Sequence, residues 1–113
     1  MKSLVLAGFY ALRGVLNLLK EKSAQREVVL LLISILMFVR DTSLETLFLV
    51  VIALITMSLE SLNTAIEEIC DVLTTEKNEC VAKIKDLGAA SILICLVAWA
   101  MLCIFYILNT PLT

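Results

Sequence analysis

Four polar side chains, Glu60, Asn63, Glu67 and Asp71, recur at i, i+3, i+7 and i+11 in the run Ser58-Leu-Glu-Ser-Leu-Asn-Thr-Ala-Ile-Glu-Glu-Ile-Cys-Asp71. An α-helix advances about 100° per residue, so this spacing stacks all four on one narrow stripe. Three carboxylates in line repel one another unless a cation or a proton offsets them. They also follow directly on an apolar run, where an uncompensated carboxylate is expensive. Such a stripe suits a metal-binding and proton-transfer site. The plainer alternative is a solvated helix face just outside a membrane, and Glu60, which abuts the apolar run, fits that alternative least. Closeness to hydrocarbon disfavours the charged form of Glu60 and suits it to act as a general base. Glu67 stands roughly 10 Å further along the axis, toward water. A carboxylate there suits hard Mg2+, which prefers oxygen ligands and keeps substrate phosphates in its shell.

The elements that position this stripe follow from composition. The chain has 113 residues, 61% of them apolar, and a mean hydropathy of +1.02; an average soluble domain is about 45–50% apolar. Three Gly and one Pro allow long uninterrupted helices, and the alternating strands of a membrane β-barrel are absent. Net charge is −2 with no dense basic cluster, so nucleic acid is not an expected partner. Histidine is absent, which leaves acid–base chemistry near neutral pH to Asp, Glu, Lys, Cys or Tyr. The cysteines at 70, 80, 95 and 103 form no C-x-x-C pair.

Residues 3–22 carry apolar side chains at 5, 9, 12, 16 and 19, with Arg13, Lys20 and Lys22 among the polar positions. This pattern predicts an amphipathic helix lying in the membrane interface over 1–22. The uncharged stretches Val28–Val39 and Thr46–Leu59 each fall short of the ~20 residues that cross hydrocarbon, but flanking residues can snorkel; Leu87–Leu108 is long enough by itself. The expectation is one all-α integral membrane domain over 1–113, with transmembrane helices over 24–40, 44–64 and 87–109. A tight hairpin at Arg40–Glu45 joins the first two, and a cytoplasmic helix extension and loop occupies 65–86. Of the nine basic residues only Arg40 falls on the far side. The positive-inside rule therefore places the N-terminus, the stripe and the 65–86 segment in the cytoplasm, and the C-terminus outside. Across the loop, Lys83, Lys85 and Asp86 return to the membrane. A Lys opposite a metal-binding carboxylate gives a polyphosphate two sources of positive charge, although Lys85 taken alone is equally an interfacial lysine. The phosphate-binding loops G-x-x-x-x-G-K-[ST] and G-x-G-x-x-G are missing.

The segment Glu60-Ser-Leu-Asn-Thr-Ala-Ile-Glu-Glu-Ile-Cys-Asp71 closely resembles the E-x-x-N-[ST]-[SA]-[LIV]-E-x-x-x-D signature of the small bacterial diacylglycerol kinases and their undecaprenol kinase relatives. Ile84-Lys-Asp-Leu-Gly-Ala-Ala90 resembles the A-K-D-x-[GA]-[SA]-[AG] start of that family's last helix, with Ile84 in place of Ala. Tyr10-Ala-Leu-Arg-Gly14 resembles its Y-[AS]-x-x-G element. The resemblance spans essentially the whole chain. It implies a homotrimer of three-crossing subunits, composite sites between neighbours, and transfer of the γ-phosphoryl group of ATP to a lipid alcohol with Mg2+. Diacylglycerol is the expected acceptor and phosphatidic acid the product, in the bacterial inner membrane, with undecaprenol as the alternative acceptor. By position, Glu60 would be the base on the lipid hydroxyl and Glu67 would bind the metal–nucleotide. Asn63 would hold lipid or catalytic groups, Asp71 would stabilise the nucleotide end, Glu76, Lys85 and Asp86 would contact nucleotide, and Tyr10 would join them from the first helix.

The N-terminal element departs from the family's E-x-A-F-R-x-E: this chain reads Glu21-Lys-Ser-Ala-Gln-Arg-Glu27. The first Glu of that element is a metal ligand in the family, and the kept Glu-to-Glu spacing makes Glu21 the second metal ligand that the resemblance implies. A register shifted by one fits Ala24 and Arg26 but puts Lys22 at that position, and a protonated Lys cannot ligate Mg2+. A different class of function, a small proton-coupled transporter, would want a carboxylate near mid-membrane; here the carboxylates gather at one end.

Overall fold

The computed structural model describes residues 2–74, 76 and 78–110, all of them in four helices and their connections: α1 (Lys2–Leu19), α2 (Lys22–Arg40), α3 (Leu44–Leu73) and α4 (Glu79–Asn109). α3 lies between α2 and α4 and packs along both, while α1 touches α2 and α3 only lightly. Lys2–Leu19, Leu44–Leu73 and Glu79–Asn109 are long and apolar enough to cross a membrane. α2 carries Lys22, Arg26, Glu27 and Arg40 toward its two ends, around an uncharged centre. From Leu87 onward α4 carries no charge and is hardly buried by its own subunit, the character of a helix facing lipid or other chains. The fold is an all-α membrane fold.

The three long helices share one packing rule. Along α3, Thr46, Leu49, Ala53, Thr56, Glu60, Asn63 and Cys70 are buried, which is a 3-4 repeat interrupted only at Glu67. The buried positions of α2, Ala24, Glu27 and Ser34, follow the same rhythm, and on α4 the buried Ile92 and the half-buried Val81, Lys85, Gly88, Cys95, Trp99, Leu102 and Tyr106 fall on it. Such spacing keeps one seam facing the partner helix, as in left-handed bundles. Glu60 and Asn63 are thus seam positions, occupied by polar groups where packing would otherwise want an apolar side chain.

Helix ends are fixed by side chains. At the α2–α3 hairpin a reciprocal cap forms, with Thr46 N–H donating to Ser43 Oγ at 3.3 Å and Ser43 N–H to Thr46 Oγ1 at 3.1 Å. Thr46 Oγ1 also donates to the Asp41 carbonyl at 2.7 Å, and Tyr106 O–H to Asp41 Oδ2 at 2.8 Å, so α4 is tied to the hairpin. Midway, Trp99 Nε1–H donates to Ser34 Oγ at 2.8 Å, and Ser34 to the Leu30 carbonyl at 2.8 Å. At the other end α3 runs on to Leu73, and Asn78 opens α4 by accepting from Cys80 N–H at 2.8 Å and Val81 N–H at 3.4 Å. α4 therefore begins at Glu79, well ahead of the uncharged segment from Leu87.

Candidate active site

The seam turns polar where α2, α3 and α4 approach the α3–α4 loop. Glu27 is 0% exposed and Glu60 2% exposed. Arg26 serves both: its Nε donates to Glu27 Oε1 at 2.8 Å, and its Nη2 stands 3.9 Å from Glu60 Oε2, close enough to attract but too far to hydrogen-bond. Asn63 Nδ2 donates to Glu67 Oε1 at 3.2 Å, holding the more exposed carboxylate. Glu27 Oε2, Glu60 Oε2 and Asn63 Oδ1 are the buried side-chain oxygens left without a hydrogen-bond partner among the described residues. Buried polar groups are normally satisfied, so three orphans on adjoining positions make this the candidate site.

A cavity of about 260 Å3 opens there. Its polar wall is Ser23, Arg26, Glu60, Asn63 and Glu67; its apolar wall is Ala89, Ile92, Leu93 and Leu96 of α4. Gly88 makes the close approach of α4 possible. A Cβ there would overlap Asn63 Oδ1 and lie 3.2 Å from Asn63 Cγ.

A second cavity, about 710 Å3, lies beyond the end of α3 between Asp71, Thr74, Glu76, Asn78 and Lys85, a size that accommodates a nucleotide-sized ligand. Lys85 Nζ donates to Asp71 Oδ1 at 2.9 Å across its edge. That hydrogen bond, and then the charge of Asp71, hold the Lys85 amine above the usual lysine range. The helical stripe therefore divides. Glu60, Asn63 and Glu67 face the smaller cavity, whereas Asp71 steps off the seam to meet α4 at the larger one, with Glu76 on its rim.

Three expected site residues stand apart within the single chain. Tyr10 is exposed on α1, with the Arg13 guanidinium 5.9 Å from its ring centroid. Asp86 is exposed on α4 and lines neither cavity. Glu21, the residue before α2, lines a third cavity of about 160 Å3 with Asn17, Ser61, Thr64 and Glu68. That is the face of α3 next to the one carrying Glu67. No three acidic or cysteine side chains among the described residues converge as a metal cage. An oxygen-only donor such as Glu67, with one oxygen held by Asn63, fits Mg2+ that brings its own phosphate ligands; Glu21 and Glu67 do not present to one ion within this subunit. Sequence reasoning assigned no role to Arg26, to Glu27 or to the closeness of Gly88. Glu27 carried a signal, because a charge at 27 falls in the 24-27-31-34 rhythm of α2.

Residues 9–108 match the family model for prokaryotic diacylglycerol kinase. The chain is 33% identical over 90 residues to a diacylglycerol kinase of Haemophilus influenzae, covering 77% of this chain and 76% of that one. It is 31% identical over 100 residues to a diacylglycerol kinase of a Sinorhizobium species, covering 87% and 73%. A four-helix membrane chain with orphaned polar atoms at one end of its seam, matched over nearly all its length, belongs to the prokaryotic diacylglycerol kinase family, and its enzyme class is lipid kinase.

Proposed function

We propose that this chain transfers the γ-phosphoryl group of ATP to the free hydroxyl of diacylglycerol, giving phosphatidic acid at the cytoplasmic face of the inner membrane. The observation that carries the assignment is the orphaned oxygen of Glu60, buried yet bordering a cavity that is polar on one side and apolar on the other. A lipid with a hydroxyl head and acyl chains matches both walls. Glu60 Oε2 takes the hydroxyl proton as the oxygen attacks phosphorus. Asn63 steadies Glu67 and, with Gly88 beside it, sets the distance between α3 and α4.

The larger cavity takes the nucleotide, with Lys85 turning from Asp71 to the polyphosphate and Glu76 at the rim. Glu67, with Glu21 as the second carboxylate, would hold Mg2+, which would lower the charge of the polyphosphate. Bringing Glu21 and Glu67 to one ion requires a side chain to swing from one face of α3 to the next. Asp86 and Tyr10, exposed and apart from both cavities, are in position to serve a neighbouring subunit. We infer a homotrimer with sites shared between subunits, with the largely exposed apolar surface of α4 available for packing against other chains or lipid.

The test is transfer of labelled phosphate from Mg-ATP by the purified protein in mixed micelles, to short-chain diacylglycerol and, separately, to undecaprenol. Phosphatidic acid formation is expected. Labelling of undecaprenol alone would move the acceptor assignment, and no labelling of either would end the kinase assignment. Glu67→Gln is expected to weaken the Mg2+ dependence of turnover by at least tenfold; an unchanged Mg2+ titration would remove Glu67 as the ligand.

A further inference from the structure

Arg26 is unusual among the charged groups of this site, because its own side chain is 56% exposed while the two carboxylates it attends are 0% and 3% exposed. A guanidinium has five N–H donors in a fixed fork. Among the described residues only Nε is used in a hydrogen bond, to Glu27 Oε1 at 2.8 Å. Its outer edge borders the cavity that Glu60, Asn63 and Glu67 share. Glu27, fully buried on the seam of α2, is an anchor with little freedom to move. Two carboxylates around one cation leave the cluster with an excess negative charge, and that repels an incoming phosphoryl group unless the cation can also serve it.

We propose that Arg26 is the phosphoryl-binding cation of this enzyme: held at Nε by Glu27, it turns its free guanidinium edge from Glu60 to the oxygens of the group in transit. This assignment rests on the lipid-kinase reading above. In the resting protein the edge at 3.9 Å keeps Glu60 tolerable in a buried place. When Mg-ATP and lipid are bound, the lipid hydroxyl oxygen forms its bond to the γ-phosphorus. The bond from that phosphorus to the β–γ bridging oxygen breaks, and ADP leaves with its electron pair. The hydroxyl proton passes to Glu60 Oε2. Charge on the three equatorial oxygens of the phosphoryl group is what a planar fork of N–H donors fits. As the edge moves to phosphate, it leaves Glu60 Oε2 to the lipid hydroxyl, so one movement serves both partners of the reaction.

Steady-state kinetics of Arg26→Gln, Arg26→Lys and Arg26→Ala, each checked for wild-type thermal unfolding in micelles, decide the matter. Arg26→Gln is expected to lower kcat about a hundredfold with KM for ATP changed by less than about threefold. Added guanidinium should restore part of the turnover of Arg26→Ala. The extra thermal protection given to wild type by ADP with aluminium fluoride and lipid, over ADP alone, should disappear in Arg26→Gln. Arg26→Lys keeps the positive charge but lacks the planar fork whose one edge holds Glu27 while the other pairs two phosphoryl oxygens, so it too should be slow. If Arg26→Gln failed to fold, the lysine variant would carry the test. Wild-type kcat in Arg26→Lys, or unchanged protection by the fluoride complex in Arg26→Gln, would overturn the proposal and leave the lipid kinase standing. A wild-type protein inert toward both lipids would remove the kinase assignment and this proposal together.

Discussion

The two ends of the α3 seam treat buried polar groups in opposite ways. At the hairpin end, Thr46 is buried and its hydroxyl is engaged with Ser43 and the Asp41 carbonyl, while Asp41 receives Tyr106. Ser34, further in, accepts from Trp99 and donates to a carbonyl. At the loop end, Glu27, Glu60 and Asn63 each keep a buried oxygen without a partner. The helices, the repeat and the depth of burial are the same. Polar groups that satisfy one another hold helices in register. Polar groups left short cost about 1–3 kcal/mol of stability per neutral group and more for a charged one, a cost that the proposed ligand-binding role explains.

The contrast can be broken most sharply at Glu60. Glu60→Gln is expected to cut lipid phosphorylation by about 10²–10⁴-fold while the thermal unfolding midpoint holds or rises, because a buried charge is removed. A fall in stability together with retained activity would show that Glu60 belongs with the structural set. Next comes Gly88→Ala, which drives a methyl into Asn63. Overpacking of this kind costs about 1–3 kcal/mol, and turnover should fall with it. Gly8→Ala and Gly14→Ala meet nothing within 4 Å and should instead add up to about 1 kcal/mol each by helix propensity. Comparative unfolding of the three variants gives the ranking.

At the hairpin end, Tyr106→Phe should lose about 1 kcal/mol of stability and leave kcat for the lipid unchanged. A selective loss of turnover would mean that the two ends are coupled. The smallest effect belongs to the Lys85–Asp71 pair. Because Asp71 raises the folded-state pKa of Lys85, the stability it adds is fully present below the ordinary lysine value and fades as pH rises through the raised one. Unfolding followed from neutral to strongly alkaline pH should show this dependence in wild type and its absence in Asp71→Asn. The pair is open to solvent, so the amplitude is small and falls with salt.

Much of this was legible in the amino-acid string, for a physical reason. A helix converts spacing into direction, so Glu60, Asn63 and Glu67 could be put on one face by counting, and the greasy composition fixed the medium. Asp71 was assigned to the same stripe, yet the seam itself continues through Cys70, one residue earlier, and that difference turns Asp71 toward Lys85. What counting along one helix cannot reach is the meeting of two. Arg26 against Glu60, and Gly88 against Asn63, depend on how α2 and α4 are laid against α3. The assignment of Glu21 suffered likewise: spacing along the chain identified the residue, but the turn between α1 and α2 aims it beside Glu68, on the neighbouring face of α3 from Glu67.

The length of α3 has a mechanical consequence. Thirty residues make a rod of about 45 Å, against a hydrocarbon layer of about 30 Å. The rod is longer than the layer, with Glu67 and Asp71 toward its loop end and the hairpin at the other. The altitude of Glu60 above the bilayer centre is thus a fixed dimension of the protein, whereas the altitude of a lipid hydroxyl is a property of the membrane. A thinner bilayer is met by tilt of the bundle, a thicker one by local thinning of the bilayer or by snorkelling of flanking side chains. Membrane thickness is then expected to tune turnover, and rates measured in bilayers of graded acyl-chain length would show it.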